Sequence, residues 1–155
     1  MILLIIASGR GTRLGSLSAS KPKCMVKINN KTILDYSIPA FKYFKKVLMV
    51  VGYKKNIIIN KIKNIRYVEN KNFQNSNMVE SIFKGRKLIN DNLVIMYSDI
   101  IFDVKIIKDI LKLKKNIMPI NSNWLNLWKL RMNTNKIYQD AENISVSRGE
   151  IIEIG

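Results

Sequence analysis

Hydrophobic positions recur in two rhythms along the chain. Continuous hydrophobic runs stand at residues 2–6, 47–51 and 93–97, and residues 65–68, interrupted by Arg66, fit a further short strand. Runs that are apolar at every position predict short strands buried on both faces, as in a parallel sheet. Between them the apolar spacing widens to three and four. Thr32 is placed to cap a helix over residues 33–44, with Pro39 set to kink or split it. A lysine- and isoleucine-rich stretch predicts a surface helix over 54–63, and another helix is expected from about 78 to 88. Ile106, Ile107, Ile110, Leu111 and Leu113 keep helical spacing ahead of a further short strand near 117–120. Residues 25–28 read as a short extended piece ending in the polar turn Asn29-Asn30-Lys31. Residues 69–77 hold five asparagines and glutamines and predict a loop. Residues 144–154 alternate as a hairpin does, with Arg148-Gly149 at its turn.

Strands that alternate with helices imply an α/β fold, a Rossmann-like three-layer α/β/α arrangement around a mostly parallel sheet. We expect a single domain over residues 1–155, since the length suits one core better than two. Ligands of such sheets bind at the carboxyl ends of the strands. The loop after the first strand, Gly52-Tyr53, the asparagine-rich loop and Asp99 would all gather on that edge.

The loop after the first strand carries the densest candidate chemistry. It reads Ala7-Ser8-Gly9-Arg10-Gly11-Thr12-Arg13-Leu14 and runs on to Lys21-Pro22-Lys23. Gly9 and Gly11 let the backbone turn tightly and approach an anion without a Cβ in the way. Thr12, Arg13 and Lys23 add a hydroxyl and two cations. Together these features suit a polyphosphate. Arg10 is read as a surface residue.

Composition narrows the chemistry further. The chain has one cysteine and no histidine, which leaves zinc sites and histidine-based acid–base or nucleophilic catalysis without residues to build on. A lone cysteine fits a reducing, cytoplasmic setting, and any metal should be a hard, oxygen-bound ion such as Mg2+. Residues 1–7 lack a basic leader segment and no apolar run reaches membrane-spanning length, so neither a signal peptide nor a membrane association is expected. The net charge of +16 invites a nucleic-acid partner. The cations are mostly lysines spread evenly among asparagine and isoleucine, with no basic run interleaved with aromatics, and they read as a solvated surface.

The N-terminal string resembles the signature of nucleotidyltransferases with a glycosyltransferase-A-like Rossmannoid fold, whose pattern runs L-A-A-G-x-G-T-R-L…P-K. Ser8 departs from the usual alanine. Val51-Gly52-Tyr53, then Asn70, Asn77 and Ser81, then residues 97–103 are similar to the branch that activates small phosphorylated compounds with CTP. Trp124, Trp128 and Arg131, followed by Asp140-Ala141-Glu142, continue the same order.

The resemblance implies a nucleoside-diphospho-sugar transferase-like fold and transfer of a nucleotidyl group from a nucleoside triphosphate, CTP favoured. The acceptor would be a small phosphorylated or phosphonylated compound used in surface-polysaccharide or lipid decoration. On that reading Ala7, Ser8, Gly9, Gly11, Thr12, Arg13 and Lys23 hold the nucleotide. Arg13 would take the β/γ phosphates, and Lys23 the α-phosphate. Asp99 would be the metal ligand, although an aspartate past a strand also serves as a turn or helix cap. Gly52, Tyr53, Asn70, Asn77 and Ser81 would complete the nucleotide pocket. Trp124, Arg131, Asp140 and Glu142 would hold the acceptor, while an ordinary core helix with a capping arginine stays open for the tryptophans. Asp103 reads as a cap of the following helix. Family members run longer and supply a second acidic metal ligand, which is expected to be missing from this chain. A sugar-1-phosphate uridylyl- or thymidylyltransferase, and a catalytically silent nucleotide-binding domain, are the alternatives. A homo-oligomer stays open as a partner state.

Overall fold

The computed structural model describes residues 1–113, 115–130, 132–141 and 143–154, and of residues 134, 135 and 140 the backbone alone. The chain divides into two compact units, Met1–Lys114 and Lys115–Gly155. In the first, strands β1 (Ile2–Ala7), β4 (Lys46–Val51), β5 (Arg66–Glu69) and β6 (Leu93–Tyr97) form one sheet. Its order is β5-β4-β1-β6 and every pairing is parallel. Leu3 pairs with Val47, and Ile2 pairs with Leu93, so β1 lies at the centre of the sheet.

Side chains of β1 and β4 alternate between two apolar clusters. Leu3, Ile5, Ala7, Val47, Met49 and Val51 join Ile58 and Ile62 of the α2 region (α2, Lys55–Lys61) and Ile107 of α4 (Lys105–Lys112). Ile2, Leu4, Leu48 and Val50 face the other way, against Ile82 of α3 (Met78–Lys84), Leu88 and Ile89. Burial on both faces is why these strands are apolar from Ile2 to Ala7 and from Val47 to Val51. Each fully buried Leu or Ile contributes roughly 1.5–3 kcal/mol.

The helix expected over 33–44, kinked or split at Pro39, is split into two segments that are 3-10 and not α-helical, Ile33–Tyr36 and Ile38–Tyr43. Thr32 does cap the first, in a reciprocal capping box with Asp35. Pro39 explains the break. It has no N–H to donate and its ring would crowd the carbonyl four residues back, so it is accommodated in the first turn of the second segment and not inside one continuous helix. Ahead of that break, β2 (Lys27–Ile28) and β3 (Lys31–Thr32) form a hairpin through Asn29 and Asn30. Both asparagines have positive φ, as a two-residue turn of the primed type requires.

The expected strand near 117–120 is irregular chain. Pro119 removes one ladder donor from that short run, so its apolar residues do not extend a sheet. The second unit contains α5 (Trp124–Lys129), α6 (Thr134–Asp140) and the hairpin β7 (Ile144–Ser147) with β8 (Glu150–Ile154). Arg148 and Gly149 turn that hairpin at positive φ, as the alternation indicated. Among the described residues no helix is long and apolar enough to cross a membrane.

Candidate functional site

The chain leaves β1 toward β4 and β5 and later returns to β6 on the other side, which makes the carboxyl end of β1 a topological switch point. A cavity of about 420 Å³ opens there. From the first loop it is lined by Ala7, Ser8, Gly9, Gly11, Thr12, Arg13, Pro22, Lys23 and Cys24. The segment after β5 adds Phe73, Ser76, Asn77, Met78 and Ser81, and the end of β6 adds Tyr97, Ser98 and Asp99.

The loop's shape follows from its glycines. Gly11 has φ 70°, and a Cβ there would lie 2.8 Å from Cβ of Lys23. Glycine at 11 is therefore what allows the Lys23 stem to pack against the loop. Gly9 differs: a Cβ there would meet nothing within 4 Å. Among the described residues no packing calls for glycine at 9, and the position borders the cavity. Ser18 fixes the loop from outside, its hydroxyl donating to the Gly11 carbonyl at 2.7 Å.

Two cations and one carboxylate meet in this cavity. Lys23 Nζ lies 2.6 Å from Asp99 Oδ2, both side chains being partly exposed. An ion pair in such contact with water contributes about 0–1 kcal/mol. Exchanging either partner for a ligand's charges therefore costs the fold little. Arg13 adds the second cation. Cys24, beside them, is buried, and that burial pushes its thiol up to about 12, with the Asp99 charge acting the same way against a hydrogen bond to Ser98. The thiol stays neutral and is no nucleophile at ordinary pH.

Among the described residues no cluster of three or more acidic, histidine or cysteine side chains is placed to hold a metal ion. Asp99 is the acidic residue that lines the cavity. This donor set fits a hard divalent ion of the magnesium type, which commonly takes one or two carboxylates and completes its shell with phosphate oxygens and water. A site built wholly from protein ligands does not fit.

A buried hydrogen-bond network holds the first loop to α3. The hydroxyls of Ser8 and Ser81 are 3.0 Å apart. Asn70 Nδ2 donates to Ser81 Oγ at 3.1 Å and to Ser76 Oγ at 2.7 Å, while its Oδ1 accepts from the Asn72 N–H. Ser81 in turn donates to the Asn77 carbonyl. Asn70 is fully buried and the cavity lining does not include it. The serine at position 8, a departure from the alanine of the signature, is thus a member of this network.

Gly52 and Tyr53 stand behind the loop and do not line the cavity. A Cβ at Gly52 would lie 2.7 Å from the Ser8 carbonyl, the same oxygen that accepts from the Tyr53 N–H at 3.0 Å. Tyr53 also donates through its hydroxyl to the Ala19 carbonyl, and Arg10 lies over its ring at 5.5 Å. Asn77 does line the cavity and also caps α3, its Oδ1 accepting from the Glu80 N–H. Asp103 accepts from the Lys105 N–H at the start of α4.

Sequence reasoning did not single out Phe73, Ser76, Met78, Tyr97, Ser98 or Cys24 as cavity residues. The loop over 69–77 and the end of β6 were marked as edges of the site, but period and composition do not say which of their side chains turn inward. Trp124 belongs to the second unit, where it meets Trp128 and Tyr138 edge to face at 5.8 and 6.4 Å. Arg131, Glu142 and the Asp140 side chain lie outside the described residues.

Comparisons with known proteins bear on the family and the fold. The model of the MobA-like NTP transferase domain matches residues 3–117. The CTP:phosphoglutamine cytidylyltransferase of Campylobacter jejuni is 30% identical over 167 aligned positions, covering 100% of this chain and 65% of that protein. The solved CTP:phosphocholine cytidylyltransferase of Streptococcus pneumoniae superposes with a TM-score of 0.56 at 25% identity, over 63% of this chain and 45% of the other. The inositol-1-phosphate CTP transferase of T. maritima superposes with a TM-score of 0.71, over 99% of this chain and 63% of that one. At 19% identity it bears on the fold alone. The chain spans less than two thirds of the length of each of these proteins.

Proposed function

The chain belongs to the MobA-like NTP transferase family, and on that premise we propose that it transfers CMP from CTP to a small phosphorylated or phosphonylated acceptor. The observation that carries the reading is one cavity shared by the Gly9–Gly11 loop, Arg13, Lys23 and Asp99. The choice of CTP is supported by the Campylobacter and Streptococcus relatives, both described as cytidylyltransferases.

In the proposed step an acceptor oxygen attacks the α-phosphorus, a new P–O bond forms, and the bridging bond to the β-phosphate breaks to release pyrophosphate. The acceptor is already an anion at neutral pH, so no side chain needs to remove a proton. Catalysis is then alignment of two anions and neutralisation of the charge that develops at phosphorus. Backbone N–H groups of the loop, freed of a Cβ at Gly9, approach the phosphates. Arg13 holds the β/γ end. Lys23 leaves Asp99 and turns to the α-phosphate. Asp99, released from Lys23, is the residue that would hold a divalent ion, with Mg2+ fitting its oxygen chemistry. When bound, that ion would neutralise phosphate charge and strengthen pyrophosphate as a leaving group. The acceptor subsite is proposed to include Trp124, and by resemblance Arg131, Asp140 and Glu142.

The test is pyrophosphate release from ATP, GTP, CTP, UTP and dTTP against a panel of phosphorylated and phosphonylated acceptors, sugar-1-phosphates included. The reading expects release with CTP and at least one acceptor, lost on chelation of divalent ions. Release with UTP or dTTP and a sugar-1-phosphate would move the chain to the uridylyl- or thymidylyltransferases. No release with any pair, from folded protein that binds CTP, would make it a silent nucleotide-binding domain.

A further inference from the structure

The amino edge of the same sheet carries a second cavity, of about 540 Å³, at the starts of β4 and β5. Half of its ten lining residues are cations, Lys42, Lys45, Lys46, Lys63 and Arg66, and none is acidic. Cations are 27 of 155 residues in the chain, about one in six, so general basicity accounts for at most two of those five. The clustering is local.

Two of the five are held in place. Lys46 Nζ donates to the Leu88 carbonyl at 2.7 Å and Lys63 Nζ to the Ile59 carbonyl at 2.9 Å. Each ammonium keeps two further donors for a ligand. Asp91, the carboxylate that feels the Lys45 charge, is bound to the terminal ammonium at 2.6 Å. It offers this cavity little compensation. Phe41, Phe44, Val47 and Ile65 supply an apolar floor. Phe44 is 8% exposed, so the aromatics are floor and not a platform on which bases of an extended strand would stack. A single concavity of this volume suits a compact ligand better than a polymer.

We propose that this concavity is a second anion site, which takes a compact, multiply phosphorylated molecule at the sheet edge opposite the nucleotide cleft. A free polyphosphate ester and a phosphorylated lipid headgroup share the required chemistry, several phosphate charges within reach of the five cations that line the cavity. The site is separated from the cleft by the length of a six-residue strand, roughly 20 Å. Its occupation does not depend on turnover in that cleft.

The experiment is a titration of the 15N-labelled chain with sodium tripolyphosphate, followed by amide chemical shifts at near-physiological salt. Saturable shifts are expected at residues 41–47 and 63–66. The Lys45→Glu/Arg66→Glu double variant should weaken them about tenfold or more. Both side chains are exposed, so its spectrum should otherwise match the parent. Should that variant fail to fold, Lys42→Gln/Lys45→Gln is the replacement, with a smaller weakening expected. Shifts confined to residues 8–23 and 97–99 would overturn the proposal, as would unsaturable shifts across the whole basic surface. Flotation with phosphatidylcholine vesicles doped with phosphatidylinositol bisphosphate, reversed by tripolyphosphate, would identify a headgroup as the source. Tripolyphosphate binding without flotation would identify a free phosphate ester. An oligouridylate that shifts these amides when tripolyphosphate does not would overturn the proposal in favour of RNA.

Discussion

Gly9 and Gly11 are two residues apart and serve different ends. Gly11 is demanded by the chain itself, through a positive φ and the nearness of the Lys23 stem. Gly11→Ala should lower stability by about 1–3 kcal/mol in denaturant unfolding, from the left-handed backbone and the displaced lysine. Gly9 has free space where its Cβ would be, so Gly9→Ala should leave the unfolding midpoint unchanged and weaken nucleotide binding alone. Equal destabilisation by the two substitutions would contradict this division. Cys24 gives a pH signature at the same scale. Its thiol is raised from an ordinary 9.0 to about 12, so between those values the folded chain keeps a proton that the unfolded chain releases. Its contribution is therefore intact below pH 9 and is lost as pH climbs, at up to about 1.4 kcal/mol per pH unit. Stability measured from pH 8 to 10.5 should fall more steeply in the parent than in Cys24→Ala. Parallel curves would show that the thiol is not desolvated.

At the scale of elements, the position of α3 relative to the first loop rests on a few buried hydroxyls and one amide. Ser81→Ala removes the partner of Ser8 and an acceptor of Asn70, and should cost about 1–3 kcal/mol because both groups are buried. It should also raise the KM for nucleotide, since the loop loses its brace. A stability loss with unchanged nucleotide KM would mean that the loop holds its shape without α3. The strands at 2–6 and 47–51 were legible because they are apolar at every position, a pattern that burial on both faces explains, whereas 93–97 share the pattern although Ile95 and Tyr97 stand exposed on the edge strand. The helix over 33–44 was not, because capping at Thr32 and the apolar spacing fit an α-helix and a 3-10 turn equally well. Only the steric effect of Pro39 decides between them. The strand near 117–120 failed for a similar reason, its period being right while Pro119 denies it a ladder bond.

For the whole molecule, the edge of the sheet at which the site lies followed from topology, and the Gly9–Lys23 stretch and Asp99 converge there. What could not be read was contact between distant segments. Asn70 and Gly52, expected at the nucleotide, lie outside the cavity lining and brace the loop from behind, since nothing in an asparagine-rich loop tells a buried brace from an exposed reader. Charge likewise reads as evenly spread along the sequence. The +16 total concealed a cluster at the amino edge, because Lys42–Lys46 and Lys63–Arg66 meet only once β4 and β5 pair. The account as a whole stands on the claim that the loop, Arg13, Lys23 and Asp99 form one triphosphate site. Calorimetric titration of CTP with Mg2+ into the parent chain and into Lys23→Ala tests it without requiring turnover. The account predicts one saturable site, weakened about tenfold or more by the substitution while the unfolding midpoint hardly moves. No binding of any nucleoside triphosphate by the folded parent chain, or equal affinity in Lys23→Ala, would contradict it.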